Sequence, residues 1–140
     1  MEYDSDYILC ECDLDALKSQ VERFEQRMSV RVTKEPSVCL TMVRAEDSLE
    51  HQEFYLGEAL TTECEVEIEG VAGYGLCLGE EPVRGYCIAV FDALLHGVAE
   101  ADAEAAAFIS EHTEKVSRKE REEFARTLTT RVDFKLMEED

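Results

Sequence analysis

The stretch from Phe54 to Leu95, FYLGEALTTECEVEIEGVAGYGLCLGEEPVRGYCIAVFDALL, decides the fold. Leu60, Thr62, Cys64, Val66 and Ile68 alternate with Glu63, Glu65, Glu67 and Glu69, the period of a strand with one dry face. Glu69-Gly70 is a polar break containing a residue that tolerates positive φ, so Val71 to Leu78 is predicted to fold back as a hairpin partner. Gly73, Gly75 and Gly79 leave one face of that partner nearly bare, which implies a close second backbone or a bend. Pro82 suits a first helical turn and Gly97 suits a residue just past a helix end, bracketing a helix at about 82–96. That helix is apolar almost all round, with Arg84, Asp92 and His96 as a thin polar stripe. It must therefore be covered on more than one side.

Working outward, Asp13 is placed to cap an amphipathic helix at about 13–28, in which Leu14, Leu17, Val21, Phe24 and Met28 share a face. Residues 1–12 fit either a short helix or a strand. Val30, Val32 and the run from Val38 to Val43 read as extended, and Arg44 to Glu53 as an exposed acidic loop, giving a sheet over about 30–78. Glu58 has the parity of the dry face. Either a bulge beside Gly57 turns it outward or it is a buried, paired carboxylate. Beyond Gly97, an Ala- and Glu-rich helix is expected at about 99–115. Ser117 and Glu120 have capping-box spacing and open a second helix at about 118–128, whose strong apolar anchors are Phe124 and Leu128. An extended tail follows at 130–137, with Val132, Phe134 and Leu136 on one side, suited to a sheet edge or a partner. The expectation is one α+β domain: a small antiparallel sheet of three to four strands packed with amphipathic and buried helices.

Charge restricts the partners. Among 140 residues, 33 are acidic and 14 basic, and between Ala45 and Val83 there are eleven Asp or Glu and no Lys or Arg. Such a field disfavours nucleic acid and anionic lipid. It fits either a solubilising surface or a docking face for a basic partner. No apolar run is long enough to cross a bilayer, and MEYDSDY at the start is acidic where a signal peptide is basic, so a cytoplasmic protein is expected. Cys39, Cys64, Cys77 and Cys87 lie in apolar segments as small reduced hydrophobes. Cys10 and Cys12 lack the second pair or the histidines that a metal site needs. No Walker loop, nucleophile elbow or dinucleotide fingerprint occurs, and Glu80-Glu81 places negative charge where a helix start would hold phosphate. His96, four residues after Asp92, fits a local ion pair. The composition argues for a subunit of an assembly, with no catalytic, cofactor-binding or metal residues assigned. The alternatives are a stand-alone small-ligand-binding protein using the Gly-rich face, and a thiol or metal protein using Cys10 and Cys12.

The ordered combination of MVRAEDS at Met42–Ser48, the Phe54–Leu95 stretch with its acidic pair before Pro82, and TRVDFKLM at Thr130–Met137 resembles the PhnG family. The chain departs from that pattern in its acidic spacer from Glu46 to Glu53, in Thr61-Thr62 where similar proteins are more apolar, and in its N-terminal third. The resemblance implies an accessory subunit of the bacterial carbon-phosphorus lyase system, partnered by the H, I and J subunits. It further implies that ATP is a substrate of the assembled complex, in which an alkylphosphonate displaces adenine, with the I subunit carrying the chemistry. Within this chain, candidate docking residues are Arg131, Val132, Asp133 and Phe134 in the tail and Glu63, Glu65 and Glu67 on the strand.

Overall fold

The computed structural model describes residues 3–98 and 101–134. Along the chain run α1 (Ser5–Glu11), α2 (Leu14–Glu25), β1 (Val30–Glu46), β2 (Glu53–Ile68), β3 (Val71–Leu78), α3 (Pro82–Leu95) and α4 (Asp102–Leu128). The strands form one antiparallel sheet in the order β1-β2-β3, as expected for an α+β domain. Residues 3–12, open between helix and strand in the sequence, contain α1, which Asp4 caps by accepting from the Asp6 N–H. Asp13 caps α2 in the same way, accepting from the Ala16 N–H at 3.0 Å.

The centre of the molecule is α3. It lies on the sheet with one side, and α1, α2 and α4 pack on its other sides, which accounts for its lack of a wet face. Seating it this close requires the glycines of β3. A Cβ on Gly75 would lie 2.2 Å from the Gly85 carbonyl oxygen, and one on Gly73 would lie 2.2 Å from that of Ala89. Gly85, Ala89 and Ala93, one turn apart, form the matching strip on the helix. The bare face of β3 is thus filled by helix backbone at Gly73 and Gly75, which takes up the face that the stand-alone binding reading would use, and a cleft of about 250 Å³ remains at its edge beside Gly73, Tyr74 and Asp92. Gly79 differs: its φ of +80° serves a turn, and a Cβ there would meet nothing within 4 Å.

Two buried hydroxyl and aromatic arrangements fix the layers. Thr62 donates to the Gly79 carbonyl at 2.6 Å and accepts from the Glu81 N–H at 3.0 Å. It thereby tethers the turn that launches α3, where Glu81 supplies no side-chain cap of its own. Phe24, Phe91 and Phe108 pack in sequence, the first pair edge to face and the second tilted, with ring centroids 5.7 and 5.2 Å apart, and join α2, α3 and α4.

Several expectations need correction. The helices expected at about 99–115 and 118–128 are one helix, α4. Ser117 and Glu120 lie inside it: the capping-box spacing also occurs in helix interiors, and no Gly or Pro stands near Ser117 to break the ladder. Residues 99–100 fall outside the described residues. Arg44, Ala45, Glu46 and Glu53 belong to strands, so the acidic loop shrinks to residues 47–52. Cys39 is half-buried on edge strand β1, whereas Cys64, Cys77 and Cys87 are buried, and all six thiols are free. Glu58 is exposed, but not because a bulge turns it: the register skip at Leu56 lies beyond Gly57, and Glu58 keeps the parity of Leu60 and Thr62, opposite Met42, on a part of the sheet that nothing covers. Arg84, expected on a wet stripe, is only 9% exposed. Its Nη1 donates to the carbonyls of Leu9 and Cys12, each at 3.0 Å. These are carbonyls that the end of α1 leaves without helical partners.

Candidate functional site

The sheet is not uniformly covered. β3 pairs only with Thr61 to Ile68 of β2, while β1 continues to pair with β2 as far as Glu46 and Glu53. From Leu40 to Leu60 the chain is therefore a two-stranded arm that projects past β3, with Val38, opposite Thr62, at its base. Cross-strand partners share a face, and Val38 opposes Thr62, Leu40 opposes Leu60 and Met42 opposes Glu58. The face that buries Thr62, Cys64, Val66 and Ile68 in the body continues along the arm as Val38, Leu40, Met42 and Leu60, all exposed, with Leu40 at 63%. Past the bulge, Phe54, Tyr55 and Leu56 are exposed as well.

An isolated two-stranded ribbon is marginal in water, and contiguous exposed apolar surface marks an interaction site. The edges support the same reading. On the body half of β1, Arg31, Lys34 and Pro36 guard the free edge in the usual manner. On the arm half, the run Val38 to Val43 carries no charge. At β3, the opposite edge is closed: Asp92 accepts from the Tyr74 N–H at 2.8 Å, and the Cys10 thiol approaches the Leu76 carbonyl at 3.7 Å. A rim of Glu46, Asp47, Glu50 and Glu53 surrounds the arm tip, offset by Arg44, which pairs with Glu53 at 3.2 Å, and by His51, 2.9 Å from Glu46.

The sequence-predicted docking residues lie elsewhere. Glu63, Glu65 and Glu67 occupy the outer face of the sheet, away from α3. Glu63 meets Lys34 and also accepts from the Tyr74 hydroxyl at 3.0 Å. Glu67 meets Arg31 at 2.8 Å, and Lys34 stands opposite Glu65 in the register. The hydrogen bond from Lys34, with that from Tyr74, holds the Glu63 carboxyl below its usual range and raises Lys34 in turn. Burial, together with the bond to Glu63, pushes Tyr74 up to about 12. The glutamate row is therefore matched by β1 cations and is not the bare negative face that the charge count implied. The sequence count missed this because the cations lie some thirty residues upstream and arrive only by strand pairing.

In the tail, Arg131 and Asp133 face each other at 3.5 Å, and Val132 and Phe134 are exposed, Phe134 at 92%. Residues 131–134 form no strand, so the tail does not extend its own sheet there. Leu136 and Met137 lie outside the described residues. No hydrogen bond or ion pair among the described residues joins the tail to the glutamate row. Nearby on α4, Phe124 and Leu128 are also exposed, consistent with the thin apolar stripe of that segment.

Chemistry-bearing groups take local roles. His96 Nδ1 lies 2.7 Å from the Asp92 carbonyl and 3.1 Å from its carboxylate, the expected ion pair. Burial pushes the Cys10 thiol up to about 11 and raises Cys12 as well, which opposes the thiolate form that reactivity or metal binding requires. Among the described residues, no three His, Cys, Asp or Glu side chains converge as metal ligands, and no helix is long and apolar enough to cross a membrane. The arm was missed by sequence reading, although it left a signal: Val38 to Val43 has apolar or small residues at both parities, more than a half-wetted edge strand needs.

Residues 6–138 match the family described as "Phosphonate metabolism protein PhnG". The chain is also similar to a protein of Rhizobium meliloti (strain 1021) named "Alpha-D-ribose 1-methylphosphonate 5-triphosphate synthase subunit PhnG", at 28% identity over 128 residues, covering 91% of this chain and 81% of the relative. With nearly its whole length matched, the chain belongs to the PhnG family of phosphonate metabolism proteins.

Proposed function

We propose that this chain is an accessory, non-catalytic subunit of a phosphonate-degrading complex and that the β1–β2 arm is its main docking element. The supporting observation is the arm itself: a ribbon with exposed Val38, Leu40, Met42 and Leu60 that the chain's own helices leave uncovered. The relative's name supplies the type of assembly, a ribose 1-methylphosphonate 5-triphosphate synthase with more than one subunit. In this reading the companions are the H, I and J subunits, and ATP is a substrate of the assembled complex, whose adenine an alkylphosphonate displaces. The chain binds no cofactor of its own. The surface that receives the arm is an apolar groove with a basic rim, complementary to Leu40 and Met42 at its centre and to Glu46, Asp47, Glu50 and Glu53 around the tip.

Co-expression with the three companions and affinity capture of this chain tests the proposal. The companions co-purify with the wild type, and Leu40→Asp abolishes co-purification. Because Leu40 is exposed, the same substitution changes the stability of the isolated chain by less than about 0.5 kcal/mol. Failure of the wild type to capture any companion overturns membership in this complex. Unchanged capture by Leu40→Asp overturns the role of the arm alone.

A further inference from the structure

An open groove of about 580 Å³ lies where the end of α1 and the start of α2 face the middle of α4, and Arg84, His112, Lys115 and Lys119 all line it. In a chain with a net charge of −19, the meeting of Arg84, Lys115 and Lys119 beside His112 needs an explanation. Two of these residues are buried, Arg84 at 9% and His112 at 5% exposure. Arg84 is locked in place by its Nη1 bonds to Leu9 and Cys12 and by Glu81, which lies 3.4 Å from Nε. Its Nη2 has no hydrogen-bond partner among the described residues, yet no buried side-chain nitrogen or oxygen among them is sealed without a partner. Nη2 is therefore open to the groove.

His112 is held the same way. Its ring stacks on Phe108 with centroids 3.9 Å apart, and Nδ1 lies 2.9 Å from the Phe108 carbonyl oxygen. A carbonyl only accepts, so Nδ1 carries the hydrogen and Nε2 of the neutral ring presents a lone pair. Nε2 likewise has no partner among the described residues and is not sealed, so it too opens to the groove. Lys119 is exposed and unpaired among the described residues, while Lys115 pairs with Glu111 at 2.9 Å. Two carboxylates share the lining, Glu11 and Asp13. Asp13 is fixed in place as the cap of α2, and its charge and that of Glu11 are what a negative ligand must avoid.

We propose that this groove binds a small oxyanion that also carries a hydroxyl, such as hydrogenphosphate or a phosphorylated polyol. Arg84 Nη2 and the Lys119 ammonium donate to the anionic oxygens, and His112 Nε2 accepts the ligand O–H. The need for both functions sets the specificity: an oxyanion with no hydroxyl leaves an oxygen lone pair facing the Nε2 lone pair. The field of the acidic chain opposes any anion, so affinity is on the order of millimolar. This site is independent of the docking arm.

The test is a titration of the full chain at a fixed pH of about 8, following the His112 ring signals by NMR with inorganic phosphate, glycerol phosphate and sulfate. Phosphate or glycerol phosphate shifts those signals saturably and sulfate does not. Tighter binding of the ester assigns the site to a phosphorylated polyol, and equal binding assigns it to the free ion. Lys119→Glu weakens binding about tenfold, while Lys18→Glu, an equal charge change on the exposed face of α2, has less than about a twofold effect. Unmoved His112 signals, equal binding of sulfate, or equal weakening by both variants would overturn the proposal.

Discussion

Gly75→Ala tests the central packing of this fold. The added Cβ would stand 2.2 Å from the Gly85 carbonyl oxygen and 2.6 Å from the Ala89 amide nitrogen. Both are backbone atoms of α3, so no side-chain rotation relieves the overlap, and strand and helix must separate by about 1 Å to restore ordinary contact distances. That separation opens the whole Gly85-Ala89-Ala93 strip in a close-packed interior. Overpacking a core typically costs about 1 to 3 kcal/mol, and the upper end applies because only backbone can move. A loss of about 3 kcal/mol is a large fraction of the roughly 5 to 15 kcal/mol that holds a domain together. For a chain of this size it corresponds to a fall of about 10 °C in Tm. Urea and thermal unfolding followed by circular dichroism measure both quantities. Gly57→Ala is the control, because a Cβ there meets nothing within 4 Å. If Gly75→Ala unfolds within about 0.5 kcal/mol of the wild type, the close approach of α3 to β3 is wrong.

Other perturbations probe separate parts. Thr62→Val keeps the shape but strands the Glu81 N–H and leaves the Gly79 carbonyl without its donor. A cost of about 1 to 3 kcal/mol in urea unfolding is expected, and no loss would remove Thr62 as the tether of α3. His96 should titrate above the ordinary 6.5, raised first by its bond to the Asp92 carbonyl and then by the Asp92 carboxylate. Its small contribution is full below pH 6.5 and fades as pH rises through the raised folded value. Asp92→Asn should lower the midpoint in an NMR titration, and an unmoved midpoint would refute the carboxylate part of that cause. Phe134→Ala should leave the isolated chain within about 0.5 kcal/mol of the wild type, since the ring is already exposed. Lost co-purification with the companion subunits would then place the tail at an interface, and a large loss of stability would show that it docks on its own chain.

The sequence by itself determined the elements whose cause is local. The alternation from Leu60 to Ile68, the Glu69-Gly70 turn and the Pro82 and Gly97 brackets act within a few residues, so strand, hairpin and helix were legible, while the glycines of β3 left a close backbone and a bend both open. The all-round apolar character of α3 likewise required cover on several sides, and the pairing of His96 with Asp92 followed from one helical turn. What depends on residues distant in the chain was decided only by tertiary structure. Arg84 has the spacing of a wet stripe, but the end of α1, more than seventy residues away, supplies carbonyls that bury it. The Glu63, Glu65 and Glu67 row reads as bare negative charge until antiparallel pairing lays Arg31 and Lys34 across it. Ser117 can open a helix or sit within one, and the continuous packing of α4 on α1 and α3 selects the second. The exposed arm exists because β3 ends while β1 and β2 continue. Periodicity reports which face of a strand is apolar, and only the packing of the other elements decides how much of that face remains uncovered.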